Sequence, residues 1–365
     1  MHLQNATKMQ AGYTLGMAPD GGECLVAVIK GTFAIPENGG QATLHPTQEA
    51  LFTSDTFTGE PGLSAPVYEA DYAPEKKRCD VLLQCQAHAP NQKPVERLTV
   101  GFKVGSLSKS FDVVGQRFWD RTLLGGLKPS KPLPFLNQTL TYDCAYGGVD
   151  TPSARPEIQE MYLLNPVGMG FHPVSPRRDI EGAPLPLTEE THNPVSSPKG
   201  AYQPMAPGPI GRSWLPRYPH AGTYDQNWKD HVFPFLPADF KPDYYQAAPP
   251  DQQMNHLVGG EEVTLMNLTP AGKTCFSLPT LEVPVEFCPA SGSRITLNAT
   301  ADTLVIEPDA NRLMITWRAA LALKNNIFEM KQIVVGRMPR GWYRARDSAK
   351  SWYPSISHLM DARRE

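Results

Sequence analysis

Apolar positions recur along this chain in short strand-like runs, and no stretch sustains the three-to-four spacing of a long helix. Cys24 to Phe33 reads Cys-Leu-Val-Ala-Val-Ile-Lys-Gly-Thr-Phe, rich in β-branched residues and bounded by Gly21-Gly22 and Pro36. That pattern predicts a strand. Asp80 to Ala87 predicts another. From Arg97 to Val104, Leu98, Val100, Phe102 and Val104 alternate with Thr99, Gly101 and Lys103, so one face is buried. Lys109 to Phe118 repeats the alternation.

The last third has the same character. Val263 to Leu268 and Thr274 to Leu278 flank a Thr269-Pro270-Ala271-Gly272 turn. Thr303 to Trp317 predicts a hairpin around Pro308-Asp309-Ala310-Asn311. Ala319 to Met330 reads as a short helix or a strand bent at Asn325-Asn326, and Ile333 to Val335 as a further strand. Pro354 interrupts any helix in the tail, Asp347 to Glu365. Strands that follow one another without helices between them exclude a parallel α/β sheet. The expected fold is mainly β: an antiparallel, sandwich-like framework with little helix. Four regions are expected within one folded unit: β regions at 1–150 and 256–345, a Pro/aromatic-rich segment at 151–255, and a tail at 346–365.

Between Asn165 and Pro250 lie seventeen of the 37 prolines, interleaved with Trp214, Tyr218, Tyr224, Trp228, Tyr245 and other aromatics. Linkers are Gly/Ser-rich and disordered segments lack aromatics, so this stretch is neither. Proline excludes long helices and central strands. The segment is therefore expected to be an ordered, irregular covering over the β framework.

The net charge of −3 gives no basic face for nucleic acid, although Arg337, Arg340, Arg344 and Arg346 form a local run. Met1-His2-Leu3-Gln4-Asn5 does not begin a secretory signal, and no apolar run has the length of a membrane span. A cytoplasmic protein without membrane or nucleic-acid partners is the expectation. The six cysteines form no CxxC pair and read as buried free thiols.

Chemical motifs are incomplete. Gly272-Lys273-Thr274 lacks the glycine that a phosphate loop requires, since Asn267 stands there, and reads as a hairpin turn. Gly168-Met169-Gly170 lacks the third glycine of a dinucleotide fingerprint and reads as a tight turn. His220 and His231 bracket Asp225 and Asp230 without metal-ligand spacing. Asp71, Asp80, Asp225, Asp239, Asp251 and Glu261 hold the residue type of a glycosidase carboxylate pair. Each also suits a structural role, with Arg117 and Arg217 as bidentate partners. No catalytic residue, cofactor or metal is assigned.

A set of ordered motifs resembles a known bacterial family. They begin with Lys30-Gly31-Thr32-Phe33, Tyr68-Glu69-Ala70-Asp71-Tyr72-Ala73-Pro74-Glu75-Lys76 with Cys79-Asp80, and Gly115-Gln116-Arg117 with Trp119. Tyr142 with Ala145-Tyr146-Gly147-Gly148, Asn165-Pro166-Val167-Gly168-Met169-Gly170 and Trp214-Leu215-Pro216-Arg217 follow. Then come Ala221-Gly222-Thr223-Tyr224-Asp225 with Trp228, Pro234 with Leu236-Pro237-Ala238-Asp239-Phe240, Ala247-Ala248-Pro249 with Asp251-Gln252, and Gly259-Gly260-Glu261. Over residues 20–285 the chain resembles domain of unknown function 2169, a family tied to type VI secretion as effector adaptors or chaperones. Gln116 departs from the family's more usual acidic residue before the arginine.

The resemblance implies a non-enzymatic adaptor that binds a toxic effector and helps load it onto the secretion spike protein. An adaptor needs a preformed surface, either an open edge strand or an aromatic groove. Trp214, Tyr218, Tyr224, Trp228 and Tyr245 are the expected client-binding residues. Two other readings remain at this point: a glycan or envelope hydrolase using a carboxylate pair, and a structural subunit of the spike.

Overall fold

Three β-sheets meet in one apolar core in the computed structural model, which describes residues 1–18, 20–37, 39–324, 326–348 and 350–364. The central sheet runs Gln253–Met254, Cys79–Leu83, Thr300–Glu307, Arg312–Ala322, Glu23–Ala34, Gln10–Met17, and Thr43–Leu44 also pairs with Glu23–Ala34. A second sheet has the order Thr188–Glu189, Leu107–Val114, Arg97–Val104, Glu262–Met266, Lys273–Ser277. The third has the order His2–Asn5, Met330–Val335, Pro284–Pro289, Ile295–Asn298. Pairing within these sheets is antiparallel except Cys79–Leu83 on Thr300–Glu307 and His2–Asn5 on Met330–Val335. The framework is thus mainly antiparallel β and sandwich-like, as the sequence predicts.

Side-chain alternation divides the central sheet into two unlike faces. Leu25, Ala27, Ile29 and Phe33 join Leu304, Ile306, Leu313, Ile315 and Trp317 in the shared core. Phe111, Val100, Phe276, Phe287 and Ile333 meet them from the other two sheets. Each fully buried side chain of this size contributes about 1.5–3 kcal/mol. The opposite face carries Lys30, Thr32, Asp80, Thr316 and Arg318, and it is buried as well. Glu23–Ala34 reads as an unbroken run because both of its faces are covered.

Both predicted hairpins form. Asn311 (φ 52°) closes the turn after Pro308–Ala310, and Asn267 (φ 55°) with Gly272 (φ 76°) closes the one between Glu262–Met266 and Lys273–Ser277. Some boundaries move. The strand expected over Asp80 to Ala87 stops at Leu83 and resumes as Gln86–His88 on a different partner, Asn137–Thr139. Gln84 is occupied locally, its Nε2 donating to Val67 O at 2.6 Å. The strand expected to reach Phe118 ends at Val114, because a Cβ on Gly115 would lie 1.8 Å from Leu133 O where two backbones cross. Arg312–Ala322 ends before a 3₁₀ turn at Ile327–Glu329, and Asn326 Oδ1 caps that turn by accepting from Phe328 N. Asn325, the other half of the expected bend, lies outside the described residues.

Regions 1–150 and 256–345 interleave in the same sheets, so they are two stretches of one framework. Pro354 falls between the helices Arg340–Asp347 and Ile356–Asp361. All six cysteines are free. Burial holds for Cys79, Cys85 and Cys288, but Cys24 and Cys144 are half-buried and Cys275 is exposed. Cys275 lies on the outermost strand of the second sheet, which accounts for the difference.

Between 165 and 250 the described elements are a few short helical turns and two-residue strands; the longest is the six-residue helix Gln226–His231. Its glycine motifs serve close packing of backbone on backbone. Asn165 is fully buried, and its Nδ2 donates to Tyr142 O (2.9 Å) and Tyr146 O (3.1 Å). A Cβ on Gly147 (φ 151°) would lie 2.1 Å from Asn165 O, and one on Gly148 would lie 2.5 Å from Gly168 O. Gly147→Ala should therefore cost about 2 kcal/mol or more in a urea unfolding curve. A wild-type midpoint would contradict this packing.

Candidate functional site

The polar face of the central sheet holds a buried ionic network. Lys30 Nζ contacts Asp71 Oδ2 at 2.8 Å, donates to Ala50 O at 3.1 Å and sits 3.4 Å from the centroid of the Phe52 ring. Asp71 also accepts from Phe52 N (2.7 Å) and from Thr316 Oγ1 (3.1 Å). Arg318 pairs with Asp302 and donates to Asp71 O at 2.6 Å. Lys76 Nζ bridges Asp80 (2.6 Å) and Glu69 (3.3 Å). Arg312 joins Glu49 and Glu307, and Tyr68 Oη donates to Glu307.

This network anchors the Pro-rich covering. Arg217 and Arg212 reach Glu69 Oε1 at 2.5 and 3.0 Å, and Arg212 makes a bidentate pair with Asp55 (2.8 and 3.1 Å). Arg217 also donates to Ile210 O at 3.0 Å and to Tyr244 O at 2.8 Å. Asp80 accepts from Gln246 Nε2 and from Ala247 N, both at 2.8 Å. Buried charges thus fasten both ends of the segment between Arg217 and Gln246.

That segment presents aromatics outward. Asp225 Oδ1 caps the helix Gln226–His231 by accepting from Trp228 N at 2.8 Å, which fixes the Trp228 ring. Trp228 Nε1 donates to Phe235 O at 2.9 Å. Tyr224 and Phe233 stand edge-on to Trp228, with centroids 4.7 and 5.6 Å away. The Phe233-Pro234 peptide is cis. Asp239 closes the base by accepting from Thr223 N (2.9 Å) and Thr223 Oγ1 (2.7 Å). Phe233 is 68 % exposed, and Tyr218, Tyr224 and Phe235 are each about half exposed. Exposed aromatics clustered about Trp228 on an ordered support are the surface signature of an interaction site.

Of the five nominated residues, Tyr218 and Tyr224 are exposed and Trp228 and Tyr245 are half-buried. Trp214 is corrected: it is 4 % exposed and packs edge-on against Tyr142 at 5.1 Å, so it presents nothing to a partner. Tyr245 packs against Phe240 and Tyr244 and makes no ring contact with Tyr224, Trp228 or Phe233. Phe233 and Phe235 are the exposed members that the sequence reading passed over. Their signal was their spacing from Trp228 across a short capped helix.

The carboxylates considered for catalysis are occupied. Asp71 and Asp80 belong to the network, Asp225 and Asp239 hold turns, and Asp251 pairs with Lys109 at 3.0 Å. Glu261 accepts from Val258 N at 2.7 Å and from Gly259 N. Arg117 finds its carboxylate in Glu189, at 2.8 Å. The cavity inside the network measures about 20 Å³, room for roughly one water. Among the described residues, no group of three or more His, Cys, Asp or Glu side chains is arranged to hold a metal ion.

Burial pushes Glu69 upward, but Lys76, Arg217 and Arg212 outweigh it and hold the carboxyl below its ordinary 4.5. At Asp55, burial is likewise overcome, chiefly by Arg212, and the carboxyl lies below its ordinary 3.8. At Lys30, burial dominates over Asp71 and lowers the ammonium from its ordinary value. No described helix is long and apolar enough to cross a membrane.

Residues 20–318 match a bacterial family described as "Uncharacterized protein conserved in bacteria (DUF2169)". No curated protein and no solved structure matches the chain.

Two outcomes follow from the network. Asp80→Ala leaves Lys76 with Glu69 as its only carboxylate partner among the described residues and removes the acceptor of Gln246 Nε2 and Ala247 N, so it should destabilise the protein by about 3–5 kcal/mol in chemical denaturation. A loss below about 1 kcal/mol would show that the network is dispensable. A carboxyl whose folded pKa is depressed stabilises the fold above its unfolded pKa. Stability should therefore be full above pH 4.5 and fall as acid titrates Glu69 and Asp55 through their folded values. Denaturation midpoints measured across that range check the sign.

Proposed function

We propose that this chain, which belongs to the DUF2169 family over residues 20–318, is a non-enzymatic adaptor that binds a toxic effector of type VI secretion and helps load it onto the spike protein. The observation that carries the reading is the exposed cluster of Tyr224, Trp228, Phe233 and Phe235, displayed on a segment whose ends are fixed by buried charges. Such a surface offers large apolar area at little entropic cost, because cap, ring contacts and ion pairs already hold it. The segment belongs to the stretch whose motifs resemble the adaptor family, and the adaptor acts in the cytoplasm before secretion.

The hydrolase reading finds less support. Its acid needs a carboxyl held protonated near neutral pH. Glu69, Asp55 and Asp239 are all shifted the other way. The remaining candidates are tied to cations or backbone amides.

Co-purification of the chain with a type VI effector and a spike protein from the same bacterium tests the proposal. Capture of both is expected at physiological salt. Trp228→Ala with Phe233→Ala should weaken effector capture at least about tenfold, since buried aromatic anchors are each worth about 1–2 kcal/mol or more. The melting temperature should stay close to wild type. Capture of neither protein, or undiminished capture by the double variant, would sink the proposal.

A further inference from the structure

The central sheet ends on Gln10–Met17, and among the described residues only Glu23–Ala34 pairs with it. Ala18 N donates to Gly22 O at 2.8 Å, in the register that sets Met17 beside Glu23. Bonded pairs alternate along an antiparallel ladder. Gly16, Thr14, Gly12 and Gln10 therefore turn their backbone groups inward. Ala11, Tyr13, Leu15 and Met17 turn theirs outward.

This edge lacks the usual protection. Natural edge strands carry lysine, proline, bulges or a cover. Here eight residues in a row carry neither charge nor proline, and the pairing with Glu23–Ala34 has no bulge. The far edge of the second sheet differs: Lys273–Ser277 begins on a lysine, and residues 40–42 cover its end through Ser277 N to Gly40 O (2.8 Å) and Ala42 N to Ser277 O (2.9 Å). Tyr13 (38 %) and Leu15 (44 %) are exposed on the face that continues Ala27 and Leu25 of the core.

We propose that Gln10–Met17 pairs with the same strand of a second copy of this chain, antiparallel about a two-fold axis through Thr14. That register alone uses all four outward residues, setting Ala11 opposite Met17 and Tyr13 opposite Leu15. Each exposed Tyr13 then covers the exposed Leu15 of the other copy, on the same face of the joined sheet. Gly12 meets Gly16 on the other face, where Tyr72 packs over Gly12 and Pro74 over Gly16 within each copy. An isologous pairing of this kind is self-limiting, because each copy spends the edge that it offers. The contact is smaller than a standard interface, so the dimer dissociates on dilution.

Sedimentation of the full chain over a concentration series tests this. The expected result is twice the chain mass at high concentration, falling towards one chain on dilution. Tyr13→Lys with Leu15→Lys should give the single-chain mass at every concentration, with an unchanged circular dichroism melt. Thr14→Cys reports the register without loading the edge with charge. Facing residues of a non-bonded pair lie about 4.5 Å apart at Cα, within disulfide reach. Oxidation should link Thr14→Cys into a covalent dimer, faster than Tyr13→Cys and unlike wild type with its exposed Cys275. A single-chain mass at all concentrations, a dimer that survives the lysine pair, or failure of Thr14→Cys to link would overturn the proposal. So would protection of Gln10–Met17 from hydrogen exchange that appears only when effector is added, which would give the edge to a client strand.

Discussion

The buried pairing of Lys76 with Asp80 and Glu69, extended to Arg217, is the constraint on which the structure depends. Desolvating each of these ions costs several kcal/mol, and the cost is offset only where the partner geometry and hydrogen bonds are complete. Here they are. Asp80 takes Lys76, Gln246 and Ala247 N, and Glu69 takes Lys76, Arg212 and Arg217. An irregular covering without a ladder of its own has few other ways to define its position. The network supplies fixed points, because each charge must find its one set of partners or remain stranded.

That division of labour connects fold to surface. The inner face of the central sheet is sealed by Leu25, Ile29, Phe33, Leu313 and Trp317, and it provides the general driving force of burial. The polar face does the positioning. Arg217 reaches the carbonyl of Tyr244, 27 residues later, and so closes the aromatic excursion as a loop. Within it, Asp225 and Asp239 settle the local turns, and Trp228 holds Tyr224 and Phe233 at fixed angles.

Much of the framework was legible in the sequence, since period-two alternation in Arg97–Val104 and turn residues at Pro308–Asn311 act locally. The order of strands was not. Cys79–Leu83 lies beside Thr300–Glu307, more than two hundred residues away, and nothing local specifies such a pairing. The ionic frame was half visible. Lys30 interrupts an otherwise apolar run and Arg318 follows the apolar hairpin, yet their partners Asp71 and Asp302 could be matched only in space. For the candidate surface, the residue types were readable but their direction was not. Trp214 and Trp228 share the same proline-rich context; one is core and the other sits at the surface, and the difference lies in the helix cap at Asp225.

The central claim is that the aromatic loop, held by buried charges, is the surface that meets the effector. Hydrogen–deuterium exchange on the full chain, with and without the effector, addresses it most directly. The account predicts slow exchange at Arg217 and Gln246–Ala247 in both states, with new protection on effector binding concentrated between Tyr218 and Phe240. Effector-induced protection confined to other parts of the chain, or a segment that exchanges freely at its anchored ends before binding, would contradict it.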